Sequence, residues 1–94
     1  MAADERAEKT VLIQNELGLH ARAATKFVQT ASKFPCEITV SKGSNEVNGK
    51  SILSVLTLMA PKGTQVTLRA KGDRAAEAVA AIAALIDDKF GEGK

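Results

Sequence analysis

Apolar residues change their spacing several times along this chain, and each change marks an element. Lys9-Thr10-Val11-Leu12-Ile13-Gln14 is rich in β-branched residues and predicts a first strand. Asn15 to Gly18 predicts a loop, with Gly18 free to take a positive φ. Beyond it the apolar positions recur at helical spacing, at Ala21, Ala24, Phe27, Val28 and Ala31. Arg22, Lys26, Gln29 and Lys33 share the opposite side, so a helix is predicted over 21–33. Pro35 stops it. Cys36-Glu37-Ile38-Thr39-Val40-Ser41 alternates as a half-buried strand, with Cys36, Ile38 and Val40 facing one way. Gly43-Ser44 predicts a turn, Asn45-Glu46-Val47 a short return strand, and Asn48-Gly49 a second turn. Lys50 to Met59 predicts a helix with Ser51 in its N-cap or first turn. Pro61 and Gly63 close that segment. Its apolar residues exceed one stripe: Ile52, Val55, Leu56 and Met59 share a face and Leu53 lies off it. Gln65 to Lys71 alternates again, with Val66, Leu68 and Ala70 inward. Asp73 is a suitable N-cap for a last helix over 74–90, in which Ala75, Val79, Ile82 and Ile86 should face the sheet. Residues 1–8 read as a disordered lead-in, and 91–94 as a frayed tail behind Gly91.

The order βαββαβα implies an α+β domain spanning 1–94, a four-stranded antiparallel sheet with three helices on one face. Element order alone also fits ferredoxin-like folds. The chain is 45% apolar and 26% charged, ordinary for a soluble globular protein. A net charge of +2 is too small to argue for nucleic acid. With no Trp or Tyr and three Phe, stacking platforms for single strands are scarce. The single cysteine, Cys36, cannot form an internal disulfide, which fits a cytoplasmic location. One His and one Cys cannot assemble a zinc site of the usual kind, so no metal is expected. No run approaches the ~20 apolar residues of a membrane span, so no membrane insertion is expected. The polar, acidic start does not read as a signal peptide.

The candidate chemistry lies in Gly18-Leu19-His20-Ala21-Arg22-Ala23-Ala24-Thr25, which holds the only histidine. His20 falls where loop hands over to helix. There the unpaired backbone N–H groups and the positive end of the macrodipole favour an anion. A neutral imidazole nitrogen can attack phosphorus, and the same amides, those of Ala21 and Arg22, can hold the transferred phosphate oxygens. Arg22 adds a planar fork suited to phosphate. A first-turn arginine sits unfavourably against the dipole unless an anion visits.

Gly18-Leu19-His20-Ala21-Arg22 resembles the active-site motif of the HPr family, the histidine-containing phosphocarriers of the bacterial phosphotransferase system. The resemblance extends from about Lys9 to Phe90. It implies an open-faced β-sandwich, phosphoryl transfer through Nδ1 of His20 and no cofactor. The implied partners are enzyme I as donor and sugar-specific IIA domains as acceptors. Such a protein is a phosphoryl-transfer intermediate rather than a stand-alone enzyme. Asn48-Gly49-Lys50-Ser51-Ile52-Leu53 resembles the family's regulatory-serine region, with Ser51 at the position that HPr kinase phosphorylates in many bacteria; Ser54, one turn on, is the weaker alternative. The same correspondence implies docking through Thr25, Lys26, Ile52, Leu53 and Leu56. Two positions depart from the common pattern. Ala23 stands where most members have proline, which should leave the helix start looser. Met59 stands where most have glycine, and should extend either the apolar surface or the helix.

Three other readings compete. A regulatory, nitrogen-type HPr paralogue would share the chemistry. A small RNA-binding α/β module needs aromatics on its central strands, and these strands have none. A hydrolase using His20 as general base needs a nucleophile or carboxylate paired with it; Glu16 is the only close acidic residue in sequence, and nothing marks it.

Overall fold

The computed structural model describes residues 5–94. Seven regular elements run in the expected order: β1 (Arg6–Leu12), α1 (Ala21–Ala31), β2 (Glu37–Lys42), β3 (Asn45–Asn48), α2 (Ile52–Leu56), β4 (Gln65–Lys71) and α3 (Ala75–Asp87), followed by a 3₁₀ turn at Lys89–Gly91. The four strands form one antiparallel sheet in the order β1-β4-β2-β3. Strand β4 alternates as its sequence demands. Val66, Leu68 and Ala70 are buried under the helices, while Thr67 and Arg69 face the open side. Helix α3 packs on β1 and β4, and α1 lies against both α2 and α3. Ala75, Val79, Ile82 and Ile86 are all buried, as their spacing predicts. On α1 the buried set is Ala23, Ala24, Phe27 and Ala31. Ala23 replaces the expected Ala21, which is exposed.

Several expectations are corrected. Strand β1 begins at Arg6 rather than Lys9, because Arg6, Ala7 and Glu8 pair with Lys71, Ala70 and Arg69 of β4. The lead-in expected over 1–8 is therefore strand at Arg6–Glu8; residues 1–4 of it lie outside the described residues. Asp73 does not cap α3. The residue before that helix is Arg74, in the left-handed region with φ 65° and no side-chain cap. The orphan amide of Ala76 instead donates to a Glu5 carboxylate oxygen at 2.9 Å, so an acidic group meets the positive end of α3 from another part of the chain.

Helix α2 is shorter than its apolar run. It spans Ile52–Leu56, and only Val55 of it is fully buried. Leu58 joins the core beyond the helix, whereas Ile52, Leu53 and Met59 are 39%, 77% and 76% exposed. The expected single face of Ile52, Val55, Leu56 and Met59 is thus split. Met59 adopts φ 48°, so it extends the apolar surface and not the helix. Left-handed backbone costs a residue with a Cβ roughly 1–2 kcal/mol, part of which glycine's extra unfolded-state entropy cancels. We expect Met59→Gly to stabilise the fold by about 0.5–1 kcal/mol in urea unfolding, and Met59→Ala to bring no such gain.

Candidate functional site

His20 is the N-cap of α1. Its backbone is extended (φ −75°, ψ −179°), and Ala24 N already donates to its carbonyl at 2.8 Å. The chain arrives there through Gly18, whose φ of +66° turns it out of the loop. Leu19 then anchors the segment, with its side chain buried and its amide donating to Ala60 O at 2.9 Å. The ring of His20 is consequently held at the surface, its side chain 25% exposed.

The two ring nitrogens have different neighbours. Nδ1 accepts a hydrogen bond from the backbone N–H of Arg22 at 3.3 Å. Nε2 lies 2.5 Å from a carboxylate oxygen of Glu92. A backbone amide can only donate, and an ionised carboxylate can only accept. The two contacts together therefore assign a neutral ring with its proton on Nε2 and its lone pair on Nδ1, facing the start of α1. Which nitrogen is free follows from the bond made by the other. The first turn of α1 contains no acidic residue, so no carboxylate of the helix itself competes for its amides. Arg22 is exposed beside them.

Glu92 comes from the stretch over 91–94 that is expected to fray and does not. The tail is folded back and tied at several points. Phe90 is fully buried, and Lys26 Nζ donates to its carbonyl at 2.6 Å. Glu16 N donates to Lys94 O at 3.0 Å. The second carboxylate oxygen of Glu92 accepts from Asn15 Nδ2 at 3.0 Å, and the same amide group donates to Gly18 O at 2.8 Å. Asn15 is completely buried. Burial pushes the Glu92 carboxyl up, but the hydrogen bonds from His20 and Asn15 and the charge of Arg22 outweigh it. The group is held below the usual carboxylate range. A carboxylate does therefore pair with His20, but it is 72 residues away in sequence and is not Glu16. No local pattern encodes that contact. The one usable signal is a large apolar residue, Phe90, in a polar terminal stretch.

The remaining expected site residues divide. Thr25 uses its hydroxyl within the helix, donating to Ala21 O at 2.8 Å. Lys26 is half-buried and committed to the tail. Ser51 is the N-cap of α2, its Oγ accepting from Ser54 N at 3.3 Å. Ile52 and Leu53 stand open to solvent and Leu56 is half-buried, on a helix that packs against α1. A shallow depression beside Glu92 is lined by Arg22, Lys26 and Lys94 among others. A broader one on the open face of the sheet surrounds Arg69, whose charge is balanced by Glu8 at 2.9 Å and Glu46 at 2.7 Å; it lies on the face away from the helices. Among the described residues no hydroxyl or thiol hydrogen-bonds His20, and no cluster of three metal-ligating side chains is present.

Comparison with known proteins gives a consistent result. The family model described as "PTS HPr component phosphorylation site" matches residues 7–88. The Phosphocarrier protein HPr of Neisseria meningitidis serogroup A is 48% identical over 87 residues, covering 93% of this chain and 98% of that protein. The Phosphocarrier protein NPr of Shewanella violacea is 46% identical over 87 residues, covering 93% and 96%. A crystal structure of HPr-C-His from Thermoanaerobacter tengcongensis superposes with a TM-score of 0.88 at 49% identity, over 92% of this chain and 97% of that one.

Proposed function

Since the chain belongs to the HPr family of phosphocarriers of the phosphotransferase system, we propose that it accepts a phosphoryl group on Nδ1 of His20 from phospho-enzyme I and passes it to IIA domains. The observation that carries this reading is the differing state of the two ring nitrogens. Nδ1 carries the lone pair and faces an anion-favouring helix start; Nε2 is engaged elsewhere. Phosphoryl transfer asks the protein mainly for position and charge. The amide of Arg22 can exchange its long contact with Nδ1 for a phosphate oxygen, joined by the amide of Ala21 and the Arg22 guanidinium.

Docking fits the exposed apolar residues Ile52 and Leu53 with Leu56, flanked by Thr25 and the cationic Arg22 and Lys26. Acidic-rimmed partners would be steered there quickly and released quickly. Phosphorylation of Ser51 by an HPr kinase would set a double negative charge beside that patch and repel such partners without touching His20. The NPr relative favours a second reading, in which the same chemistry serves a nitrogen-type circuit. The two differ in which donor and acceptor proteins exchange phosphate with the chain fastest.

Two labelling experiments test this. With phosphoenolpyruvate and enzyme I, the chain should gain a phosphate that is labile in acid and stable in alkali. A chain left unlabelled would refute the carrier role. With ATP and an HPr kinase, it should gain an acid-stable phosphate that Ser51→Ala abolishes. Label persisting in that variant would move the site, Ser54 being the nearest candidate. Ser51→Ala should also cost about 0.5–1 kcal/mol of stability for the lost cap.

A further inference from the structure

The geometry points to Glu92 as a positioning residue for His20: its carboxylate keeps the ring proton on Nε2 while Nδ1 gains and loses the phosphoryl group, an inference that rests on the phosphohistidine reading above. Three observations carry it. The contact is short, 2.5 Å from Nε2 to Oε2, closer than an ordinary N–H···O hydrogen bond. Glu92 is itself held, since its other oxygen is occupied by Asn15, which also grips the carbonyl of Gly18 two residues before His20. The chain two residues to either side of Glu92 is fixed as well, Phe90 by burial and by Lys26, Lys94 by the amide of Glu16. A carboxylate braced from both sides can orient an imidazole; a frayed one cannot.

The chemistry explains why such a brace matters. When Nδ1 attacks, its lone pair forms the N–P bond. The bond between phosphorus and the donor breaks, and its electron pair stays with the donor. With the Nε2 proton retained, the phosphorylated ring is cationic, and the adjacent carboxylate offsets that charge. On transfer onward, the N–P electron pair returns to Nδ1 and leaves the neutral Nε2–H imidazole. That is a far better leaving group than the imidazolate formed if the proton had been lost. The carboxylate therefore acts on both transfers through one proton, as the acid behind a catalytic histidine does elsewhere by fixing the tautomer and stabilising the imidazolium. It approaches the ring at the nitrogen remote from phosphate, so the two anions do not compete for one edge. The other charges around the ring are Arg22 on α1, Lys26 reaching from α1 to the tail, and Glu16 and Lys94 at the rim.

The test compares full-length wild type, Glu92→Gln and Glu92→Ala by nitrogen-15 NMR of the imidazole, before and after phosphorylation. In the unphosphorylated protein, which needs no donor, wild type should be almost wholly the Nε2–H tautomer and Glu92→Ala a mixture of both. Glu92→Gln still offers an acceptor and should keep the tautomer. After phosphorylation, both variants should lose the Nε2 proton about one pH unit lower than wild type. Above that pH, onward transfer should slow about tenfold; below it the three proteins should match. A Glu92→Ala protein with wild-type tautomer populations and an unmoved pH midpoint would overturn the inference while leaving the carrier reading intact. A wild type that took no label on His20 would remove both.

Discussion

His20→Asn will fold and will not carry a phosphoryl group. Acceptance from phosphoenolpyruvate and enzyme I should fall by at least ~10⁴-fold, to background, the order expected when a nucleophile is removed outright. Asparagine is chosen because His20 has two duties. As N-cap, its side chain satisfies the amide of Arg22, and losing a cap costs about 1 kcal/mol. An asparagine side-chain oxygen is among the best N-cap acceptors, so that duty survives. Its amide nitrogen, whose lone pair is delocalised into the carbonyl, is no nucleophile. His20→Ala loses both duties and should melt ~4–8 °C lower per kcal/mol lost, which separates the two contributions. Far-ultraviolet circular dichroism and a thermal melt check the fold, and acid-labile label checks the chemistry. A His20→Asn protein that labelled at the wild-type rate would place the acceptor elsewhere, and the tautomer argument would fall with it.

The parts of this molecule visible in sequence are those made by neighbours in the chain. Strand β4 has the bounds its alternation predicts, Gln65–Lys71, because pleat and burial repeat every two residues and nothing distant is needed. His20 sits at the helix start because Gly18 and the onset of helical spacing fix that boundary locally. Helix α3 is different. Asp73 has the right chemistry for a cap, yet Arg74 takes a left-handed turn and Glu5, just ahead of the neighbouring strand β1, supplies the acceptor. Short-range preference gave way there to a tertiary contact.

The tail is the extreme case. The last helix ends at Asp87 and not at the expected Phe90, because Lys89 and Phe90 turn left-handed (φ 56° and 55°) and Phe90 is pulled into the core; that anchor places Glu92 against His20. Propensity at the chain end favours fraying; one large buried side chain outweighs it, since burying a phenylalanine is worth about 2–3 kcal/mol. The fold was therefore largely legible, and so was the nucleophile. The group that sets its protonation was not, because it is specified by three-dimensional packing between Asn15, Phe90 and Glu92 and by no spacing along the chain.

Gly18→Ala should be the most damaging single methyl addition near the site, lowering stability by about 3 kcal/mol or more. Two costs add. A φ of +66° charges any residue with a Cβ ~1–2 kcal/mol. The new Cβ would also lie 2.5 Å from Ala60 O and 2.8 Å from Pro61 Cα. Both are backbone atoms, so no side chain can swing aside, and overpacking against a fixed wall costs ~1–3 kcal/mol. Gly43→Ala isolates the first cost, since Gly43 has φ +59° but open space around its would-be Cβ; about 1 kcal/mol is expected there. Urea unfolding of the two variants side by side measures the difference. Equal losses would mean that the loop yields freely at Gly18. It should not yield, because relief of the clash would move Ala60 O, which receives the Leu19 amide, and Gly18 O, which receives Asn15. Those two bonds fix the start of α1 on one side and the Asn15–Glu92 brace on the other. Because both bonds lead towards the His20 ring, the folded fraction of Gly18→Ala should also accept phosphate more slowly than wild type.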